Sequence, residues 1–145
     1  MGTDLKKLIE FVEQSRVAVH KSMSNPEFES RSAIQKLSFI TGDSQKDKDL
    51  SMWVDRFYSS AASMSTYMKE VSGCNLEPLE SSVQSSVEMF EHGRLGALIE
   101  KIKKEVREIP IEFLRPEYQI GLVVIYAGML KSAIKIDNIR KGLPY

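Results

Sequence analysis

A single cysteine, Cys74, stands in this chain of 145 residues. No internal disulfide can form, and a cysteine-rich metal site is excluded. Histidine is almost as scarce, with only His20 and His92. The best local ligand pair is Glu88 with His92, one turn apart. A di-iron helical bundle needs a histidine three residues after a glutamate, twice over, but Met89 and Val17 stand at the positions that would have to be glutamate. The eight glycines are scattered singly, so there is no phosphate-cradling loop, dinucleotide fingerprint or nucleophile elbow. Cys74 follows Gly73 at a predicted helix end, where nothing local lowers its pKa. No catalytic or cofactor motif is present, and the chain reads as a non-enzymatic protein that takes no cofactor.

A global charge imbalance is also missing. Twenty lysines and arginines balance twenty aspartates and glutamates, so no overall field draws the chain to nucleic acid or to a membrane surface. The first residues, Met1 to Lys7, lack the apolar core of a signal peptide, and Lys6 breaks the myristoylation pattern. A cytoplasmic setting is the expectation. β-type alternation and internal repeats are absent as well.

Against these absences stands one strongly apolar stretch. From Ile120 to Leu130 every residue is apolar or glycine, and Pro116 suits the first turn of the helix that contains them. A helix that is hydrophobic all round has to be surrounded. The expected fold is therefore all-α: about six helices in a compact bundle around a central C-terminal helix at about 116–136, with residues 1–145 forming one domain. Glu117 and Gln119 precede the apolar run and Lys131 ends it, too short a stretch for a membrane span. Gly121, Gly128 and Ser132 imply close approach of another helix, either from the same chain or across a subunit interface.

The other helices follow from three- and four-residue apolar spacing. Leu5, Leu8, Val12, Val19 and Met23 form the first stripe. Asn25-Pro26 opens a second helix to about Ile40, with Phe28, Ile34, Leu37 and Ile40 inward and Gly42 as terminator. Residues 41–49 contain no apolar side chain and read as an exposed loop, after which Asp49 caps a third helix. That helix carries Trp53, Phe57, Ala61, Met64, Met68 and Val71 on one side and small residues, Ser59 to Ser65, on the other. A fourth places Leu79, Val83, Val87 and Phe90 inward, and His92-Gly93 stops it or kinks it into the next. The fifth, opened by Arg94, buries Leu95, Leu98, Ile99, Ile102 and Val106.

Two surfaces carry the functional expectation. Residues 1–92 hold ten basic and fourteen acidic side chains, whereas 93–145 hold ten basic and six acidic. Lys101, Lys104, Arg107, Arg115, Lys135, Arg140 and Lys141 form a candidate surface for an anionic partner. Glu80, Glu88 and Glu91 form a candidate acidic interaction surface. The expected function is a protein-interaction module: a small subunit, adaptor or regulator that meets a protein partner or itself. The alternative is a small subunit of a ribonucleoprotein complex that tracks the phosphate backbone with the basic C-terminal helices, helped by stacking from Tyr118 and Tyr145. Cations clustered and unpaired on one face favour nucleic acid. Cations paired within the chain favour structure or a protein interface.

Overall fold

The structure, a computed structural model, describes residues 26–70, 77–108 and 116–145. Five helices fill them: α1 (Pro26–Ser38), α2 (Ser44–Glu70), α3 (Glu77–Glu91), α4 (Leu95–Glu108) and α5 (Pro116–Lys141). No strand occurs among the described residues. The expected helix over Leu5 to Met23, the turn at Gly73 and Cys74, and the segment between Pro110 and Pro116 lie outside them.

The expected central helix is α5. Val124, Ile125, Tyr126 and Ala127, four consecutive positions that cover most of the helix circumference, are all buried. Leu122, Met129, Leu130, Ala133 and Ile136 have no exposed surface at all. The segment Gln119–Lys141 is long and apolar enough to cross a membrane, but 61% of its most apolar window is buried within the bundle. Other helices of this chain supply the surroundings, chiefly α2 and α4.

The small residues of α2 explain how closely it approaches. A Cβ added at Gly128 would stand 2.3 Å from Ser60 Oγ and 3.1 Å from Ser60 Cβ, while one at Gly121 would meet the Tyr67 ring at 3.2 Å. The glycines of α5 therefore serve a contact within the chain. Ser63 and Ser132 lie buried and donate to the carbonyls of Ser59 and Gly128, each at 2.9 Å. Such back-bonding satisfies a hydroxyl where no water reaches it. On the opposite side of α2, Phe57 stacks on Phe90 of α3 with centroids 3.9 Å apart, and Phe39 meets Phe90 edge-on at 5.4 Å.

Two expectations are corrected here. Residues 44–49 are helical, and Asp43 rather than Asp49 is the cap: its Oδ1 accepts the amides of Gln45 at 3.0 Å and Lys46 at 3.1 Å. Asp47 reaches back to accept the Thr41 amide at 2.7 Å and the Gly42 amide at 3.1 Å, closing the short turn over Gly42. Bonds from the Thr41 backbone and hydroxyl hold the Asp47 carboxyl below its usual range. A helix start needs caps and not apolar residues, which is why an apolar-free stretch misleads.

The second correction concerns α1. Phe28, Ser32, Gln35 and Phe39 face inward, while Ile34, Leu37 and Ile40 lie exposed. Polar partners decide between the two faces. Ser32 donates to Asp55 at 2.7 Å, buried Gln35 donates to the Phe90 carbonyl at 3.4 Å, and Arg31 donates through Nε to Glu91 at 2.8 Å. Turning Ile34 and Leu37 inward would break these three links at once.

Glycines close two of the helix ends, and α5 runs on to Lys141, past the expected end at about 136. Gly93, with φ +71°, donates to Phe90 O while Arg94 donates to Met89 O, both at 3.0 Å. Gly142, with φ +73°, closes α5 by the same two-bond pattern.

Candidate protein-interaction face

The structure does not bring the expected basic residues together into a stripe. Lys101 turns into the seam between α3 and α4, where its Nζ donates to Ser86 Oγ at 2.7 Å, to Ser82 O at 3.0 Å and to Ser82 Oγ at 3.1 Å. It also pairs with Glu105 at 2.6 Å. Lys141 pairs with Asp137 at 2.9 Å. The Arg140 guanidinium lies over the Phe39 ring, 4.7 Å from its centre. Lys135 donates to the Tyr145 carbonyl and, with Arg56 and Lys131, stands within 5.9 Å of the centre of the Trp53 ring. That ring is itself buried, so it offers no open stacking face. Lys104 and Arg107 remain exposed on α4. Arg115 lies outside the described residues.

The acidic candidates also separate. Glu80 is half-buried and Glu88 is exposed on α3. Glu91 instead enters a network, accepting from Arg31 and, at 2.7 Å, from the Tyr58 hydroxyl. Burial opposes its charge, but the hydrogen bonds from Arg31 and Tyr58 outweigh burial and hold the carboxyl below its usual range. Tyr58 is pushed up by burial and by the Glu91 carboxylate beside it. This network clamps α1, α2 and α3 together.

The expected Glu88 and His92 pair does meet, but through the main chain: His92 Nδ1 lies 2.7 Å from the Glu88 carbonyl. Among the described residues no group of three metal-ligating side chains converges.

Sequence reasoning did not find the cluster around Lys101. Ser82 and Ser86 come from α3, Lys101 and Glu105 from α4, and Tyr126 from α5. Burial and the nearby Glu105 charge push the Tyr126 hydroxyl up to about 12. A serine beside a lysine can be a nucleophile with its base. Here Lys101 is held by the Glu105 carboxylate, and Ser86 has no exposed surface to offer a substrate. The cluster fastens three helices. No single sequence window shows it, because its members span residues 82 to 126.

The most unusual surface is the outer side of α1. Ser30, Ala33, Ile34 and Leu37, with Ile40 in the turn that follows, are exposed and share one face without a charged side chain. Ile34 is 65% exposed, Leu37 71% and Ile40 57%. Of the charges at the margins of this face, Lys36 pairs with Asp55 at 2.8 Å and Arg31 with Glu91, while Glu29 is exposed. Met52, 39% exposed, lies one turn before Asp55 on α2. Comparison of the chain with protein-family models, with curated proteins and with solved structures gives no match in any of the three.

Proposed function

We propose that this chain is a helical protein-interaction module whose docking surface is the outer face of α1. The observation that carries the reading is the exposure of Ile34, Leu37 and Ile40 on a face that contains no charge. Surface helices ordinarily turn charged residues to water. These side chains expose on the order of 300 Å² of apolar surface, about the size at which a patch on a monomer tends to be functional. Covering it is worth roughly 7 kcal/mol before the costs of association are subtracted.

Pairing within the chain supports this reading over nucleic-acid binding. Lys101 and Lys141 are held by carboxylates, and Lys103 lies 3.8 Å from Glu100. Lys135 and Arg140 rest on aromatic rings. What remains of the basic set on α4, Lys104 and Arg107, is a short patch for a phosphate backbone.

The test is a pair of variants in two assays. Leu37→Glu abolishes stoichiometric binding of a protein partner, while Lys104→Glu with Arg107→Glu leaves it intact. Anisotropy titrations with labelled RNA and DNA at low salt show no salt-sensitive binding. Retention of nucleic acid that is lost in the α4 double variant, with Leu37→Glu silent, sinks the proposal in favour of the backbone-binding subunit.

A further inference from the structure

The chain that follows α5 doubles back onto the bundle. Gly142, with φ +73°, turns it, and the Leu143 amide closes the turn on the Asn138 carbonyl at 2.9 Å. Tyr145 then touches two helices: its hydroxyl donates to Asp49 Oδ2 of α2 at 2.5 Å, and its carbonyl accepts from the Lys135 ammonium of α5. We propose that residues 142–145 are a strap that opens and closes across α2 and α5, with the Tyr145 hydroxyl on Asp49 as its latch.

Length and composition suit a strap. Lys135 stands seven residues before Gly142, which is about 10 Å of helix, and the three residues Leu143, Pro144 and Tyr145 span about 10 Å when extended. The segment reaches its anchor with little slack. Pro144 has one backbone dihedral already fixed, so ordering the strap costs less than ordering three free residues. Apolar burial contributes little, because Leu143 is 50% exposed and Tyr145 42%. Polar contacts therefore hold it, and exposed contacts of this kind favour the closed form by roughly 1.5–5-fold.

One proton decides the latch. The hydroxyl donates to a carboxylate whose other oxygen accepts from Gln45 at 3.1 Å, and Asp43 adds a second negative charge from the start of α2. From α5 the facing charge is Lys135, which shares the Trp53 ring with Lys131 and with Arg56 of α2. A phenolate could only accept, and it would meet Asp49 and Asp43 with like charge. The bond to Asp49, then desolvation, then the charges of Asp49 and Asp43 hold the phenol above its ordinary 10.0. The latch is therefore in place below pH 10 and is lost as pH rises through the raised value. Closed, the strap occupies the Lys135 ammonium. Open, it returns that cation to solvent, so the strap withholds a member of the basic set from anions.

The experiment pairs two readouts on the full chain: an NMR titration of the tyrosine rings, with Tyr145→Phe giving the assignment, and amide exchange at neutral pH. Tyr145 of the wild type ionises above the ordinary tyrosine range, and Asp49→Ala returns it to that range. Tyr145→Phe, which removes one exposed oxygen, speeds exchange of the Leu50 to Trp53 amides by roughly 1.5–5-fold. Tyr145→Glu speeds it at least as much, since a carboxylate there adds like charge. The Leu98 to Ile102 amides of α4 stay unchanged in both variants.

Tyr145 titrating alike in wild type and Asp49→Ala overturns the latch. Exchange at Leu50 to Trp53 that is the same in wild type and Tyr145→Phe overturns the strap. Exchange that rises equally in α4 overturns it as well, because the hydroxyl would then support the whole fold and not a local opening.

Discussion

The seam between α2 and α5 and the outer face of α1 use opposite side chains. At the seam, Gly128 meets Ser60 so closely that a Cβ at position 128 would overlap the serine. On α1, Ile34, Leu37 and Ile40 are large and touch water. Small residues mark a surface whose neighbour is already fixed, because only a settled contact rewards giving up side-chain volume. Large apolar residues left exposed mark a contact still to be made. Glycine in a helix costs about 1 kcal/mol, and exposed isoleucine gains nothing from folding, so each pattern needs a compensating reason.

Substitutions can break this contrast, and the largest effects belong to the interior. Phe90→Ala removes a fully buried ring that Phe39, Phe57 and Tyr58 all touch. It should cost about 3–5 kcal/mol in a urea or thermal unfolding curve. Gly128→Ala should cost about 1–3 kcal/mol, since Ser60 must yield in a tight seam. Gly96→Ala is the control: nothing lies within 4 Å of its would-be Cβ, and the substitution should stabilise by about 0.5–1 kcal/mol. If both glycine variants behave alike, the seam does not have the closeness described.

Glu91 provides a pH test of the clamp between α1, α2 and α3. Its folded carboxyl is depressed below the ordinary 4.5, with hydrogen bonds from Arg31 and Tyr58 overcoming the effect of burial. The stability it contributes is therefore present above pH 4.5 and is lost as pH falls through the lower folded value. Glu91→Gln should be less stable than wild type at neutral pH, by about 1–2 kcal/mol. The two melting curves should converge as pH falls below the ordinary 4.5. A gap that stays constant from pH 7 to pH 3 would remove the charge from the explanation. The smallest stability effect is expected at Leu37: Leu37→Ser should change unfolding free energy by less than about 0.5 kcal/mol while weakening association.

The sequence made some of this legible and hid the rest for physical reasons. The central helix could be read because α5 is apolar around nearly its whole circumference, a pattern that no choice of phase can reverse. The break at His92-Gly93 could be read because the backbone bonds that make it are local. The face of α1 could not. Phe28, Ser32, Gln35 and Phe39 recur at helical steps just as Ile34, Leu37 and Ile40 do, and apolar content favours the wrong set. What selects the true inward face lies at Asp55, Phe90 and Glu91, between 23 and 60 residues away. Lys101 misled in the same way, since its exposure was inferred from its own helix while its serine partners stand on α3. The start of α2 was missed because caps at Asp43 and Asp47 do their work with polar atoms alone.

Amide hydrogen exchange, followed residue by residue from low-micromolar to submillimolar protein, is the most direct test of the claim that the outer face of α1 is an interaction surface. Protection should rise on association, with concentration or with an added binding protein, in α1 and the turn to Asp43, and stay constant along α2 to α5. Protection in α1 that is unchanged by concentration, and unchanged again on adding a binding protein, would mean that Ile34, Leu37 and Ile40 face only water.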